Sequence, residues 1–163
     1  MARYDREARS SHESMEAKMI ELLAATFARV AAKREDAGAI FHARLFTTAP
    51  ELRGSFKGTH DAQKEKLVSL LAQIVEYYRV GMDPQSYLAR LARSQPSYGS
   101  RRAHFDAVGD ALLFTLAQVL GADFTAAIRA VWATAWAEVS SAMLCIGDVP
   151  VASLYPPTAT ARV

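Results

Sequence analysis

The residues of this chain best suited to chemistry are few. Histidines stand at 12, 42, 60 and 104, an arginine pair at Arg101 and Arg102, a single thiol at Cys145, and two glutamines, Gln63 and Gln95, beside apolar helical patterns. A carboxamide offers an accepting oxygen and donor N–H groups but no basic nitrogen, so either glutamine can hold a polar ligand and only weakly bind a metal. Gln63 precedes Leu67 by one helical turn, which directs its amide inward, where it costs free energy unless something pairs with it. Guanidinium groups grip carboxylates bidentately, so Arg101 or Arg102 could hold an acidic ligand, with a solvated helix start as the alternative for at least one. Lys64 and Lys66 start the facing helix. His12 and His104 read as surface residues and His60 as a solvated helix start. The lone Cys145 excludes an internal disulfide and reads as a small buried apolar residue in a protein of the reducing cytoplasm.

These residues must be positioned by helices. With 163 residues, 51% hydrophobic, 8 Gly and 6 Pro, the chain reads as one all-α domain with a single core. A net charge of +2 is too small to suggest a nucleic-acid partner. No apolar run approaches the roughly 18 residues of a membrane span, and the charged start "MARYDREARSSHE" is no signal peptide, so a soluble cytoplasmic protein is expected. Periodicity predicts helices over Met15–Lys33, with Ser10 and Glu13 in capping-box spacing, Asp36–Thr48, Asp61–Arg79, Pro84–Ser94, Ala103–Leu120 and Phe124–Ile146. Pro50 stops the second, Gly81, Gly121 and Gly147 close later ones, and "RGSFKGTH" and "SQPSYG" are irregular. The resulting organisation is an N-terminal extension over 1–14, a helical domain over 15–147 and a loose tail over 148–163. Six to eight helices of unequal length suit crossed packing better than an up-down bundle, and no strand is expected.

Several motifs, in order, carry a more specific likeness: "FHARLF", "PELRGSF", "QKEKL", "YG" before "HFDAVGDALLFTL", "LGADF" and "VWATAW". From Met15 to Ile146 the chain resembles the single-domain globins of bacteria and the globin half of flavohaemoglobins. The resemblance implies a globin fold around a tetrapyrrole pocket. It puts Phe56 flat against the macrocycle, Gln63 as the distal polar residue with Leu67 beside it, and His42 where a distal tyrosine is usual. Gln95 falls on the iron ligand, the family's His-x-x-Tyr-Gly reading Gln95-Pro96-Ser97-Tyr98-Gly99 here. Phe105 replaces the tyrosine and Gly147 the glutamate that would support a proximal histidine. Val108, Leu112 and Trp136 complete the lining, although Val108 and Leu112 read better as ordinary core, and Arg101 or Arg102 would meet the propionates. No metal ligand is expected unless haem is bound, when His42 becomes the donor; a hydrogen-bonded core histidine is the equal alternative.

Without a proximal imidazole, the resemblance implies a non-enzymatic tetrapyrrole-binding protein. A linear, biliverdin-like tetrapyrrole ranks just ahead of haem, because it needs only an apolar slot, propionate partners and acceptors for its pyrrole N–H groups. Haem held through His42 and binding O₂ or NO comes next. A cofactor-free sensing or interaction module follows, with Trp132 or Trp136 filling the pocket. A nitric oxide dioxygenase or peroxidase ranks last, since it needs a strong proximal donor and, for the dioxygenase, a reductase domain. A homodimer is possible.

Overall fold

The computed structural model describes residues 2–55, 60–81, 86 and 102–145. Five α-helices carry them: α1 (Ala2–Ala32), α2 (Arg34–Thr48), α3 (His60–Val80), α4 (Arg102–Leu120) and α5 (Ala126–Cys145). Short 3-10 turns occupy Pro50–Ser55 and Gly121–Asp123, and no strand occurs among the described residues. Of the expected Pro84–Ser94 helix only Ser86 is described, in helical conformation, and the "SQPSYG" stretch, Gly147 and the tail lie outside the described residues.

Three boundaries follow sequence signals closely. Helix α2 ends at Thr48, two residues before Pro50, and Gly81 and Gly121 adopt φ of 60° and 58°, the left-handed conformation that releases a chain from a helix. Helix α5 starts later than expected, at Ala126. Thr125 caps it, its Oγ1 accepting the Ile128 N–H at 3.3 Å. Helix α1 differs most. It runs unbroken through Ser10 and Glu13 from Ala2, so the capping-box spacing there does not start a helix. The side chains described between Arg6 and Lys18 are exposed, so this stretch has no apolar periodicity to read and rests on the helix preference of Ala, Arg, Glu and Met.

Helix α2 packs most extensively, against α4 and then α3, while α1 lies mainly on α3 and α5 and touches its sequence neighbour α2 only lightly. An up-down bundle would pair neighbours instead. Phe41 and Leu45 of α2, Leu67, Leu70, Leu71 and Ile74 of α3, Phe105, Val108, Leu112 and Leu116 of α4, and Trp132 of α5 form one core. Arg102–Asp123 is long and apolar enough, by length and composition, to cross a membrane, although the sequence shows no unbroken apolar run there. Half of it is buried inside the protein, as in a core helix. Exposed ion pairs between Arg29 and Asp123, and between Arg44 and Asp110, join helices at the surface and contribute little each.

Buried polar groups are handled locally. Trp132 Nε1 donates to Thr26 Oγ1 at 2.8 Å, and that hydroxyl donates to the Leu22 carbonyl at 2.7 Å, which ties α5 to α1. Thr115 bonds only its own helix, at the Ala111 carbonyl. Thr26→Val keeps the shape but strands the indole N–H, so urea unfolding should show a loss of about 1–3 kcal/mol. Thr115→Val should cost less than about 1 kcal/mol, because the Ala111 carbonyl keeps its helical partner.

Candidate functional site

The residues expected to line a tetrapyrrole pocket come from three helices. Leu67 is supplied by α3, Phe105, Val108 and Leu112 by α4, and Trp136 by α5, and all five belong to the one core. Arg102 is exposed at the start of α4, on the lip of a small cleft of about 280 Å³ that Phe105 and Trp136 also line. Phe56, Gln95, Tyr98 and Arg101 lie outside the described residues. Gln63 is carried by α3, but its side chain, with those of His60, Lys64, Lys66 and Cys145, also lies outside them.

His42 is a buried polar residue, with Thr26 and Thr115, beside this core. It sits on α2 beside Phe41, 6% exposed, its Nδ1 2.8 Å from the Gly38 carbonyl one turn back. A carbonyl only accepts, so Nδ1 carries a proton, and in the neutral form of the ring the lone pair falls on Nε2. The Phe41 ring meets the imidazole edge-on, with centroids 5.2 Å apart at 87°, and Phe46 lies tilted at 5.7 Å. A histidine fixed through Nδ1 by a backbone carbonyl has the orientation that metal-binding histidines are commonly given.

Two other histidines are settled differently. His104, expected at the surface, has a side chain only 16% exposed, with Nε2 3.4 Å from Glu51 Oε1. It bridges the first turn of α4 to the Pro50–Ser55 turn, which covers it. His12 is exposed on α1, as expected, but borders a groove described below. No group of three or more His, Cys, Asp or Glu could hold a metal among the described residues.

The α4–α5 contact depends on a glycine that sequence reading passed over. A Cβ on Gly109 would lie 2.5 Å from both Cδ1 and Nε1 of Trp136, so only glycine admits the indole. Trp136 Nε1 then donates to the Phe105 carbonyl at 3.0 Å, with the rings 6.4 Å apart and tilted by 36°. A glycine inside the strongly helical "HFDAVGDALLFTL" was the available signal. The two tryptophans also divide their roles. Trp132 is committed to Thr26 and the α1 contact, so of the two side chains considered for filling a pocket, only Trp136 stands beside Phe105.

Residues 39–143, more than half of the chain, match the Globin family. The chain belongs to the globin family. It is 29% identical over 107 residues to the flavohemoprotein of Bordetella pertussis, a span covering 64% of this chain and 27% of that relative. To the flavohemoprotein of Rhizobium meliloti it is 30% identical over 103 residues, covering 61% and 26%. The match thus spans about a quarter of the length of these relatives. The helices described above are those of an all-α globin fold, as the motif order implied.

Whether this globin's residues suit haem can be asked of the donor and of the slot. The donor chemistry suits it: His42 is buried, neutral-tautomer defined and anchored. Leu67 and Val108, expected to line the slot, have no exposed surface. Gly109→Ala should force the Trp136 indole off the Phe105 carbonyl and cost about 1–3 kcal/mol in thermal or urea unfolding, with a changed tryptophan emission.

Proposed function

We propose that this globin binds a tetrapyrrole without enzymatic turnover, with haem as its ligand and His42 as the iron donor. The observation that carries the reading is the Nδ1–H bond from His42 to Gly38, which defines Nε2 as the basic nitrogen of a buried, helix-borne imidazole. Membership of the globin family and similarity to proteins named flavohemoprotein support haem as the group. Bound haem would supply an iron centre for a diatomic gas. The chain's residues would supply the rest: His42 the donor, Leu67, Phe105 and Val108 apolar walls, and Arg102 a cation for a propionate.

Gln95, at the position the resemblance gives to the proximal histidine, supports donation from the His42 side, since a carboxamide holds iron poorly. The same glutamine led the sequence reading to rank a linear tetrapyrrole first. The anchored His42 reverses that order, because a basic nitrogen gives iron what the glutamine does not. A strong proximal donor is what peroxidase or dioxygenase chemistry demands, so the reading is a binding role.

A second reading rests on a different observation. Leu67 and Val108 at 0% exposure, beside Phe105 and Trp136, support a cofactor-free globin that acts as a sensing or interaction module.

One experiment separates the readings. Protein purified from cells supplied with haem precursor should show a sharp band near ~400 nm, an absorption belonging to the cofactor's own chemistry. His42→Ala should lower haem retention by about tenfold or more, and Gln95→His should raise it and move the spectrum toward that of a histidine-ligated globin. Haem retention unchanged by His42→Ala would overturn His42 as donor. Uptake of neither haem nor biliverdin by correctly folded protein would select the cofactor-free module, and broad red absorption with biliverdin alone would select the linear tetrapyrrole.

A further inference from the structure

A groove of about 610 Å³ opens away from the core site, between the middle of α1, the end of α3 and α5. Its volume falls in the range of small-molecule sites, roughly 300–1,000 Å³. Met15, Met19 and Leu22 of α1 face Val131 of α5 across it. Met15 is 69% exposed at the rim of the groove. At the α3 end the groove is lined by Tyr77 and Tyr78, whose rings meet at 84° with centroids 4.9 Å apart. The Tyr78 hydroxyl donates a hydrogen bond to Glu138 Oε2 on α5, closing that wall with a carboxylate. Gly81 ends α3 beside the tyrosines, with open space where a side chain would stand.

We propose that this groove binds a small organic cation with an apolar body, of the alkyl-trimethylammonium class. Tyrosine faces carry the negative end of a quadrupole and attract a weakly hydrated ammonium, and paired aromatic rings beside a carboxylate are the elements that recognise quaternary ammonium groups. The hydrogen bond from Tyr78 to Glu138 reinforces this by pushing electron density into the ring. Burial first, and then Glu138, raise the Tyr78 hydroxyl well above its ordinary pKa, so it stays a hydrogen-bond donor. The apolar body lies along the methionines and Val131. The charged side chains around the groove are His12, Glu16 and Lys18 from α1 and Glu138 from α5. Glu138 is bonded to Tyr78, and Lys18 is exposed on α1, where its flexible stem can leave its charge in water. An anionic headgroup would meet Glu138 at the aromatic end.

The test is calorimetric titration of the full chain, with and without haem, using decyltrimethylammonium below its micelle concentration, decanoate as the anionic counterpart and decyl maltoside as the neutral one. The cation should bind about tenfold or more tighter than decanoate, equally in both forms of the protein, so the outcome is independent of haem binding. Glu138→Gln should weaken the cation by roughly fivefold or more, and Tyr77→Leu, which keeps apolar area but removes the aromatic face, by roughly threefold or more, with decyl maltoside unchanged. Circular dichroism of both variants reports that the helices persist. Equal binding of decanoate, or no loss in either folded variant, would overturn the proposal. So would a dimer in sedimentation equilibrium that excludes the cation, since a second copy of the chain would then be the occupant.

Discussion

Burial of α2 between α3 and α4 is the constraint on which the rest of this molecule depends. A helix of 15 residues is marginal by itself, so its stability comes from the stripe it hides. Phe41 and Leu45 are wholly buried, each contributing about 1.5–3 kcal/mol relative to exposure. His42 adjoins Phe41, and the same packing that buries the phenylalanine takes the imidazole out of water. Once there, the ring must satisfy its N–H within reach of its own helix, and the Gly38 carbonyl one turn back is the partner. The tautomer of the candidate donor is therefore a consequence of how α2 packs.

The second constraint is how α5 is held. Trp132 and Trp136 stand four residues apart, on one face of the helix, yet each indole N–H finds a partner on a different neighbour: Thr26 of α1 and the Phe105 carbonyl of α4. Two directional bonds in different directions fix both the rotation and the height of α5, which apolar contact alone does less well because it is nondirectional. Gly109 makes the second bond possible by leaving room for the indole. With α5 so held, Val131 and Glu138 face α1 and the end of α3 across the groove, and Trp136 stays beside Phe105 in the core.

Much of this was legible in the sequence, for reasons that can be stated. Helices α2, α3 and α4 were visible because each buries one face, so Phe41 with Leu45, Leu67 with Leu70 and Leu71, and Leu112 with Leu116 recur at helical spacing. The motif order led to the globin family, and the family match covers those same helices. The first half of α1 was not legible, because an exposed helix leaves no periodic trace. The site was legible only in part. That His42 is buried could be expected, but its bond to Gly38 is a matter of rotamer, and spacing does not encode a rotamer. Gly109 carried a weak signal, a lone glycine in a helical run. The groove carried almost none, because it joins Met15, Tyr78 and Glu138 across more than a hundred residues and none of them belongs to a recognisable motif.

The donor and the slot also make unequal demands on the fold. His42 is carried by a helix that the core already holds, with its ring anchored to the Gly38 carbonyl. Leu67 and Val108, by contrast, are wholly buried, and a flat macrocycle set against them would have to separate side chains that now pack in the core. Each square ångström of apolar surface separated in this way loses about 25 cal/mol until the ligand covers it again. A tetrapyrrole would recover that loss through its own apolar faces, and a small gas without one would not. For a tetrapyrrole held there, uptake and core stability would therefore be coupled: whatever packs Leu67 and Val108 into the core also opposes loading, and a ligand that binds only the opened form must supply the difference from its own contacts.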